Sequence, residues 1–335
     1  MRIAVDAMGG DFAPHHVVAG AVEALIETGY RFSLLLVGKE ESIKRELARL
    51  QTTGLPQGAL RIVHAAEVID FEDSPTAAVK TKKDSSIAVG MRLQKAGEAE
   101  AFVSAGHTGA MLSASTLILG RMKGVGRPTI GALIPTTGSA SLLVDAGTNV
   151  DCKPRHLLEF AVMGSIYVEA MTGKANPSIG LLSIGEEENK GNELTLEAFA
   201  LLKKSGLNFY GNVEGRDILH GKVDVIVCDG FVGNILLKFG ESVPSFFKHK
   251  FTMFAKKSVF NKLIALVARN SLRSVMKELD YQEHGGVPLL GVNGVSIIGH
   301  GGSTPKAIKN MILRAEEIVV RKVNKRIQEA MLRYA

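Results

Sequence analysis

The chain has 335 residues, of which 46% are hydrophobic, 22% are charged and 6% are aromatic, and its net charge is +6. This length suits one large α/β unit or two average domains, and the apolar content excludes a disordered chain. The two cysteines, Cys152 and Cys228, cannot build a disulfide framework and lack metal-ligand spacing, so we expect a reducing, cytoplasmic compartment. The first residues form no apolar signal region, so we expect no export by that route.

Short runs rich in Val, Ile and Leu alternate with helical patterns, which is typical of βαβ units around a largely parallel sheet. Strands are predicted at residues 3–6, 32–37, 60–64, 101–104, 129–134, 141–145, 179–183, 208–212, 223–228 and 296–300. Helices are predicted at residues 14–28, 40–50, 85–95, 107–122, 154–171, 192–205 and 304–332. No linker or repeat interrupts the pattern, so the predicted fold is one three-layer α/β/α unit spanning residues 1–335.

Residues 101–120 carry no formal charge and are long enough for a transmembrane helix. Their serines, threonines, His107 and central glycines make the segment a poor match for a hydrocarbon environment. The better interpretation is a buried strand, a glycine turn and a helix.

The basic character of the chain is concentrated in residues 242–277, which contain eight Lys or Arg and no Asp or Glu. Phe247, Phe251 and Phe254 recur there at helical spacing, and apolar residues in 259–267 continue the pattern in a second helix. The prediction is a basic helical hairpin that protrudes from the body. It could serve as a dimer interface, a membrane-surface anchor or a nucleic-acid patch. Phenylalanines flanked by lysines favour the lipid interface, and we expect no nucleic-acid partner.

No dinucleotide-binding or Walker A fingerprint occurs in the chain. Instead, four predicted strands run into loops rich in Gly, Asn, Asp or His, at residues 104–109, 145–151, 229–234 and 299–303. The carboxyl ends of parallel strands share one edge of a sheet, where ligands bind, so these loops are expected to form one polar pocket. Glycines and the N–H groups at helix starts suit a small anion.

Seven blocks of sequence resemble the PlsX-type acyl-acyl carrier protein:phosphate acyltransferases. They include IAVDAMGGD at residues 3–11, SAGHTGA at 104–110, GNVEG at 211–215 and DGFVGN at 229–234. The others lie at residues 180–187, 288–292 and 300–303. They occur in order along nearly the whole chain, so the resemblance is specific.

This resemblance implies transfer of a long-chain fatty acyl group from the thioester of acyl carrier protein to inorganic phosphate. The product, an acyl phosphate, would feed phospholipid synthesis through a membrane glycerol-3-phosphate acyltransferase. The implied fold is similar to the phosphate acetyltransferase and isocitrate dehydrogenase-like folds. The resemblance also implies a cytosolic homodimer at the membrane face. No metal or cofactor is expected.

Loop position and resemblance together give a candidate site. The residues expected to be catalytic are Asp229, Asn234, Lys238 and His300. Those expected to bind substrate are Ser104, Gly106, His107, Thr108, Gly109, Asn149, Asp151, Lys190, Asn192, Gly230, Gly233, Gly301, Gly302 and Ser303. Backbone N–H and hydroxyl groups of the 104–109 and 300–303 loops are expected to hold phosphate.

Several alternatives stay open. An acidic turn is preferred to a magnesium site at Glu186–Glu188, and a buried core thiol is preferred to a nucleophile at Cys228. A decarboxylating dehydrogenase that uses NAD could share the architecture, although the metal-binding aspartates and arginine cluster it needs cannot be placed. A non-catalytic adaptor for the carrier protein or the membrane is the remaining alternative.

Overall fold

The computed structural model describes residues 1–50, 54–278 and 285–334. Within these residues the strands are β1 (Arg2–Asp6), β2 (Ser33–Gly38), β3 (Leu60–His64), β4 (Ala101–Ser104), β5 (Thr129–Pro135), β6 (Ala140–Val144), β7 (Ile179–Leu182), β8 (Phe209–Val213), β9 (Val225–Val227), β10 (Val287–Leu290) and β11 (Val295–Ile298). The helices are α1 (His15–Glu27), α2 (Glu40–Arg49), α3 (Pro75–Thr81), α4 (Ser86–Lys95), α5 (Thr108–Ala114), α6 (Pro154–Thr172), α7 (Glu193–Lys203), α8 (Gly230–Lys256), α9 (Val259–Glu278), α10 (Pro305–Val320) and α11 (Val323–Tyr334).

All of these strands belong to one sheet, in the order β3-β2-β1-β4-β11-β10-β5-β6-β9-β7-β8. The strands from β3 to β11 are parallel to one another, and so are β6, β9, β7 and β8. Between these sets, three successive pairings through β10 and β5 are antiparallel. Three reversals leave the two parallel sets running in opposite directions.

Apolar side chains cover both faces of the sheet, and helices pack on each face. Together with the strand directions, this packing confirms the predicted α/β fold with a largely parallel sheet. One buried cluster packs α1, α6 and α10 against one face, with Val18, Phe160 and Ile312 all without exposed surface. The other cluster packs α4 and α5 against the opposite face, with Met91 and Met111 also fully buried. This burial fixes where each strand ends, and therefore where the loops lie.

Two predicted helices differ from the structure, and two short elements of the structure were not predicted. The helix expected at 107–122 is α5 followed by a π-helical turn that ends at Leu119, where Gly120 adopts a positive φ. The helix expected at 304–332 breaks into α10 and α11 at Lys322, whose φ is also positive. The short elements α3 and β10 were not predicted.

The hairpin consists of α8 and α9, which pack against each other. The prediction that it begins at residue 242 is wrong, because α8 runs from Gly230 through Pro244 without interruption. The side chains of Arg273 and Lys277, counted in the basic segment, lie outside the described residues. Among the described residues, no helix combines the length and the apolarity needed to cross a bilayer.

Candidate active site

A cavity of about 1490 Å³ lies between the middle of the sheet and α8. Each of the four predicted loops contributes to its lining, although the expectation that they share one edge of the sheet is wrong. The loops after β4 and β11 lie at one edge, and those after β6 and β9 lie at the opposite edge, because the two parallel sets are antiparallel. The lining residues from the four loops are Gly106, Thr108, Ala146, Gly147, Asn234, Gly299, His300 and Gly301.

Buried hydrogen bonds join the loops after β1, β4 and β11 at one end of the cavity. The Ser104 hydroxyl donates to Oδ2 of Asp6 at 2.6 Å, and the Gly106 N–H donates to Oγ of Ser104 at 3.0 Å. The Gly299 N–H donates to the Ser104 carbonyl at 2.8 Å. Burial raises the pKa of Asp6, whose buried carboxyl accepts the Ser104 hydroxyl and the Met8 N–H. Ser104 therefore shapes the loop and does not reach the cavity itself.

Two histidines that occupy equivalent loop positions have different roles. Nδ1 of His107 accepts the Gly109 N–H at 3.1 Å, and its Nε2 lies 3.3 Å from the Asp73 carbonyl oxygen. His107 thus caps α5, and its side chain is not part of the cavity lining. Nδ1 of His300 accepts the Gly302 N–H at 3.1 Å, so a neutral ring carries its proton on Nε2. Only His300 lines the cavity.

These bonds also correct the expected set of phosphate donors. The N–H groups of Gly106, Gly109 and Gly302 donate to side chains of their own loops. Ser303 is buried, and its hydroxyl donates to the His300 carbonyl at 2.6 Å. Four groups predicted to face an anion therefore stabilise the loops.

At the other edge, the fully buried carboxylate of Asp145 organises the turn after β6. Its Oδ1 accepts the N–H groups of Gly147 and Thr148, and its Oδ2 accepts the Asn149 N–H at 2.7 Å. Nδ2 of Asn149 also donates to Asp145, and to the Pro128 carbonyl. Asn149 is therefore buried under the turn and does not line the cavity.

The start of α8 packs closely on this turn. Oδ1 of Asp229 accepts the Val232 N–H at 2.9 Å, which caps the helix. Gly230 and Gly233 are buried, and a Cβ at Gly233 would lie 1.8 Å from the Asp145 carbonyl oxygen. These residues fix the position of α8 and stay behind the cavity wall.

The next turns of α8 bring two candidate residues to the cavity. Asn234 lies beside Gly147, because a Cβ built on Gly147 would be 3.1 Å from the Cβ of Asn234. One turn later, Nζ of Lys238 lies 2.8 Å from Oε2 of Glu241, which also lines the cavity. The helix start thus supplies an amide and an ion-paired ammonium group.

Most of the remaining lining is apolar. β5 contributes Ile130, Ala132, Leu133, Ile134 and Pro135. The first, second and fourth of these alternate along the strand and so face the same side of the sheet. Further apolar lining comes from Leu143, Ile218, Leu219, Leu236, Leu237, Val243, Pro244, Phe247, Phe251 and Val287. The cavity is larger than a typical pocket of about 300–1,000 Å³, and such walls suit a long hydrocarbon.

Three further predicted substrate-binding residues are not brought to the cavity. Asn192 caps α7 by accepting the Thr195 N–H at 3.0 Å, and the Lys190 carbonyl accepts the Ser183 hydroxyl at 3.0 Å. Asp151 is exposed and outside the lining.

The neighbouring acidic turn is engaged in ion pairs. Oε1 of Glu186 lies 2.5 Å from Nζ of Lys222, and Oε1 of Glu188 lies 2.7 Å from Nζ of Lys203. These pairs support the acidic-turn interpretation of Glu186–Glu188.

Two residues that were not predicted as site residues, Asp11 and Phe71, also line the cavity. The Asp11 N–H donates to the Gly301 carbonyl at 2.8 Å, which ties the loop after β1 to the loop after β11. The Gly-Gly-Asp run that follows the first strand was the available signal for Asp11. Phe71 is half-exposed and stacks near His107, and no motif marks it.

Both cysteines are poor nucleophiles. Cys228 is 3% exposed, and burial raises the pKa of its thiol well above its ordinary value. Partial burial raises the pKa of Cys152 to about 12. The core interpretation of Cys228 agrees with these surroundings.

The family of the chain follows from comparison with known proteins. The model of the family described as "Fatty acid synthesis protein" matches residues 1–326. The chain belongs to this family.

Two bacterial relatives extend this result. The phosphate acyltransferase of Heliobacterium modesticaldum is 52% identical over 329 residues, covering 98% of this chain and 97% of its own. The phosphate acyltransferase of Pelotomaculum thermopropionicum is 50% identical over 319 residues, which cover 95% of this chain and 92% of its own. The resemblance to the PlsX-type enzymes is confirmed, and with it the expectation of an acyltransferase over a dehydrogenase.

Solved structures support the predicted fold. A phosphotransacetylase from Streptococcus pyogenes superposes with a TM-score of 0.62 at 18% identity, covering 97% of this chain and 94% of its own. A branched-chain phosphotransacylase from Enterococcus faecalis gives 0.59 at 15% identity, covering 95% and 99%. At sequence identities this low, the two superpositions show a shared fold only.

Proposed function

We propose that the protein transfers a long-chain fatty acyl group from the thioester of acyl carrier protein to inorganic phosphate. The observation that carries this proposal is a single large cavity with an apolar wall and polar loops at the ends of two strand sets. The hydrocarbon would lie against the apolar wall, and the polar loops would hold the anion and the carbonyl. The family and the names of the relatives support the same chemistry.

Phosphate is assigned to the loops after β4 and β11. The backbone N–H of Thr108 is at the first position of α5, and the helix dipole favours an anion there. The proton on Nε2 of His300 and the backbone of Gly301 are the other groups assigned to phosphate. Asn234 and Lys238 would steady the thioester carbonyl or a phosphate oxygen, and Asp229 would position both by capping α8.

The reaction needs no acyl-enzyme, because phosphate is already a nucleophile. An oxygen of phosphate attacks the thioester carbonyl carbon and forms a C–O bond, and the resulting tetrahedral intermediate expels the carrier's thiolate as the C–S bond breaks. Fixing both reactants is worth roughly 7–11 kcal/mol of the barrier. One well-placed donor to the oxyanion is worth about 3–4 kcal/mol.

The test of this function is to mix the protein with palmitoyl-acyl carrier protein and phosphate. We expect free thiol and acyl phosphate to form in equal amounts, and only with phosphate present. Thiol release without phosphate would indicate a hydrolase. Carrier-protein binding without any thiol release would indicate an adaptor.

The hairpin is proposed to place the enzyme at the membrane, near an enzyme that transfers the acyl group to glycerol 3-phosphate. Phe260 and Leu263 on α9 are exposed, and the exposed Lys256, Lys257 and Lys262 lie near them in the sequence. Basic residues contribute about 1 kcal/mol each near anionic lipid.

Vesicle flotation tests this assignment with Phe260→Glu/Leu263→Glu, which leaves the cavity lining unchanged. Binding to anionic vesicles should be lost, and Lys203→Glu, on the distant helix α7, should retain it. Unchanged vesicle binding by the double variant would exclude this surface.

A homodimer is proposed through a second apolar face, at the start of α8. Phe231 and Ile235 lie one helical turn apart, are both more than half exposed, and do not line the cavity. Light scattering should give a dimer for the wild type and a monomer for Ile235→Glu, and a monomeric wild type would contradict the assignment.

A further inference from the structure

Helix α8 faces the cavity with a stripe of side chains that has a gap at its centre. Leu236, Leu237, Val243 and Pro244 all line the cavity. Leu236 and Leu237 precede Gly240 by four and three residues. Val243 and Pro244 follow it by three and four residues. Residues at these spacings are neighbours on a helix surface, so Gly240, which also lines the cavity, lies in the middle of the stripe.

A glycine is unexpected in the interior of a helix, where alanine is more favourable. Gly240 is not among the residues with positive φ, so its backbone conformation does not require glycine. Close packing does not require it either, since a Cβ built on Gly240 meets no heavy atom of the described residues within 4 Å, apart from its chain neighbours and its own helix backbone. Gly233 on the same helix is the opposite case, because its Cβ would collide with the backbone of Asp145.

We propose that Gly240 determines acyl-chain length, because the missing side chain leaves room for a long hydrocarbon to pass α8. This inference rests on the proposed function. A side chain at this position would project into the cavity without clashing with the protein, and would occupy volume that the distal part of the chain needs.

The test compares Gly240→Leu with the wild type on octanoyl and palmitoyl thioesters of acyl carrier protein. Each methylene group displaced from the cavity weakens binding about fourfold. We therefore expect kcat/KM for the palmitoyl substrate to fall at least about tenfold, with the octanoyl value within about twofold of the wild type. Gly240→Ala is the graded control: its single methyl group should lower the palmitoyl value by about fourfold at most, which is less than the loss in Gly240→Leu.

Gly240→Met offers a second bulky variant, and thermal unfolding of each variant separates misfolding from altered selectivity. Equal losses on both substrates in stably folded Gly240→Leu and Gly240→Met, or no loss on either, would overturn the inference. So would a large loss in Gly240→Ala, which would assign the glycine to the backbone before Pro244. A wild type that transfers neither chain would instead refute the proposed function.

Discussion

The two walls of the cavity differ in how firmly the rest of the protein holds them. On the sheet side, Ile130 is 5% and Leu143 1% exposed, because strands and helices pack against them from several directions. On the helix side, Phe239 is 69% and Phe247 54% exposed. The sheet wall therefore has a shape fixed by the core. The α8 wall has few partners in the chain, so substitutions there can alter the substrate or a second surface without unfolding the protein.

The largest effect is expected where both walls supply polar groups. Asn234→Ala and His300→Ala should each reduce turnover about a hundredfold if each residue contributes one donor to the reacting atoms. Steady-state assays of phosphate-dependent thiol release measure this. His107→Asn is the matched control, because an asparagine can also cap α5, and its turnover should stay near that of the wild type. Unchanged turnover in both alanine variants would remove these residues from the mechanism.

Two glycines of α8 sharpen the comparison between buried and open positions. Gly233→Ala should destabilise the protein by at least about 1–3 kcal/mol, because the new methyl group overlaps the carbonyl of Asp145. Gly240→Ala should stabilise it by about 0.5–1 kcal/mol, since alanine suits a helix interior better. Urea denaturation measures both. Equal effects at the two positions would contradict the difference in packing.

A smaller effect is expected from Asp6, on the buried side of the cavity. Its folded-state pKa is raised, so the wild type loses stability as pH rises from its unfolded pKa, near 3.8, through the folded value. Asp6→Asn removes this titration. The stability of the wild type relative to the variant should therefore decrease as the pH is raised above about 3.8. A relative stability that increases over this range would show that the carboxyl is held in its charged form.

The smallest effect is expected at Cys228. Because its thiol is buried and protonated, iodoacetamide should leave the activity of the native protein unchanged, and Cys228→Ser should retain most of its turnover. Rapid inactivation that Cys228→Ser abolishes would instead assign the thiol to the reaction.

Particular elements show what the sequence could predict. β1 and β4 were predicted almost to the residue, because runs of buried apolar residues bounded by polar loops are a strong strand signal. β10 was missed because it is four residues long and includes Pro288. The break at Lys322 has neither glycine nor proline to mark it.

The candidate site shows a different limit. Its loops were found from the residues that follow each strand, but the opposite directions of the two strand sets depend on β10, whose pairing is set by tertiary structure. The sequence could not separate the roles of His107 and His300 either, because both have a glycine two residues later. In each case the N–H of that glycine donates to Nδ1 of the histidine. Only the position of the cavity distinguishes them.

A structure with a non-hydrolysable acyl phosphonate bound would test the central claim most directly, namely that one cavity holds both the phosphate and the acyl chain. The account predicts the phosphonate beside His300 and Gly301, and the hydrocarbon between β5 and the Leu236–Pro244 face of α8. A chain bound on the outer face of α8, beside Phe231 and Ile235, with the phosphonate outside the cavity, would contradict it.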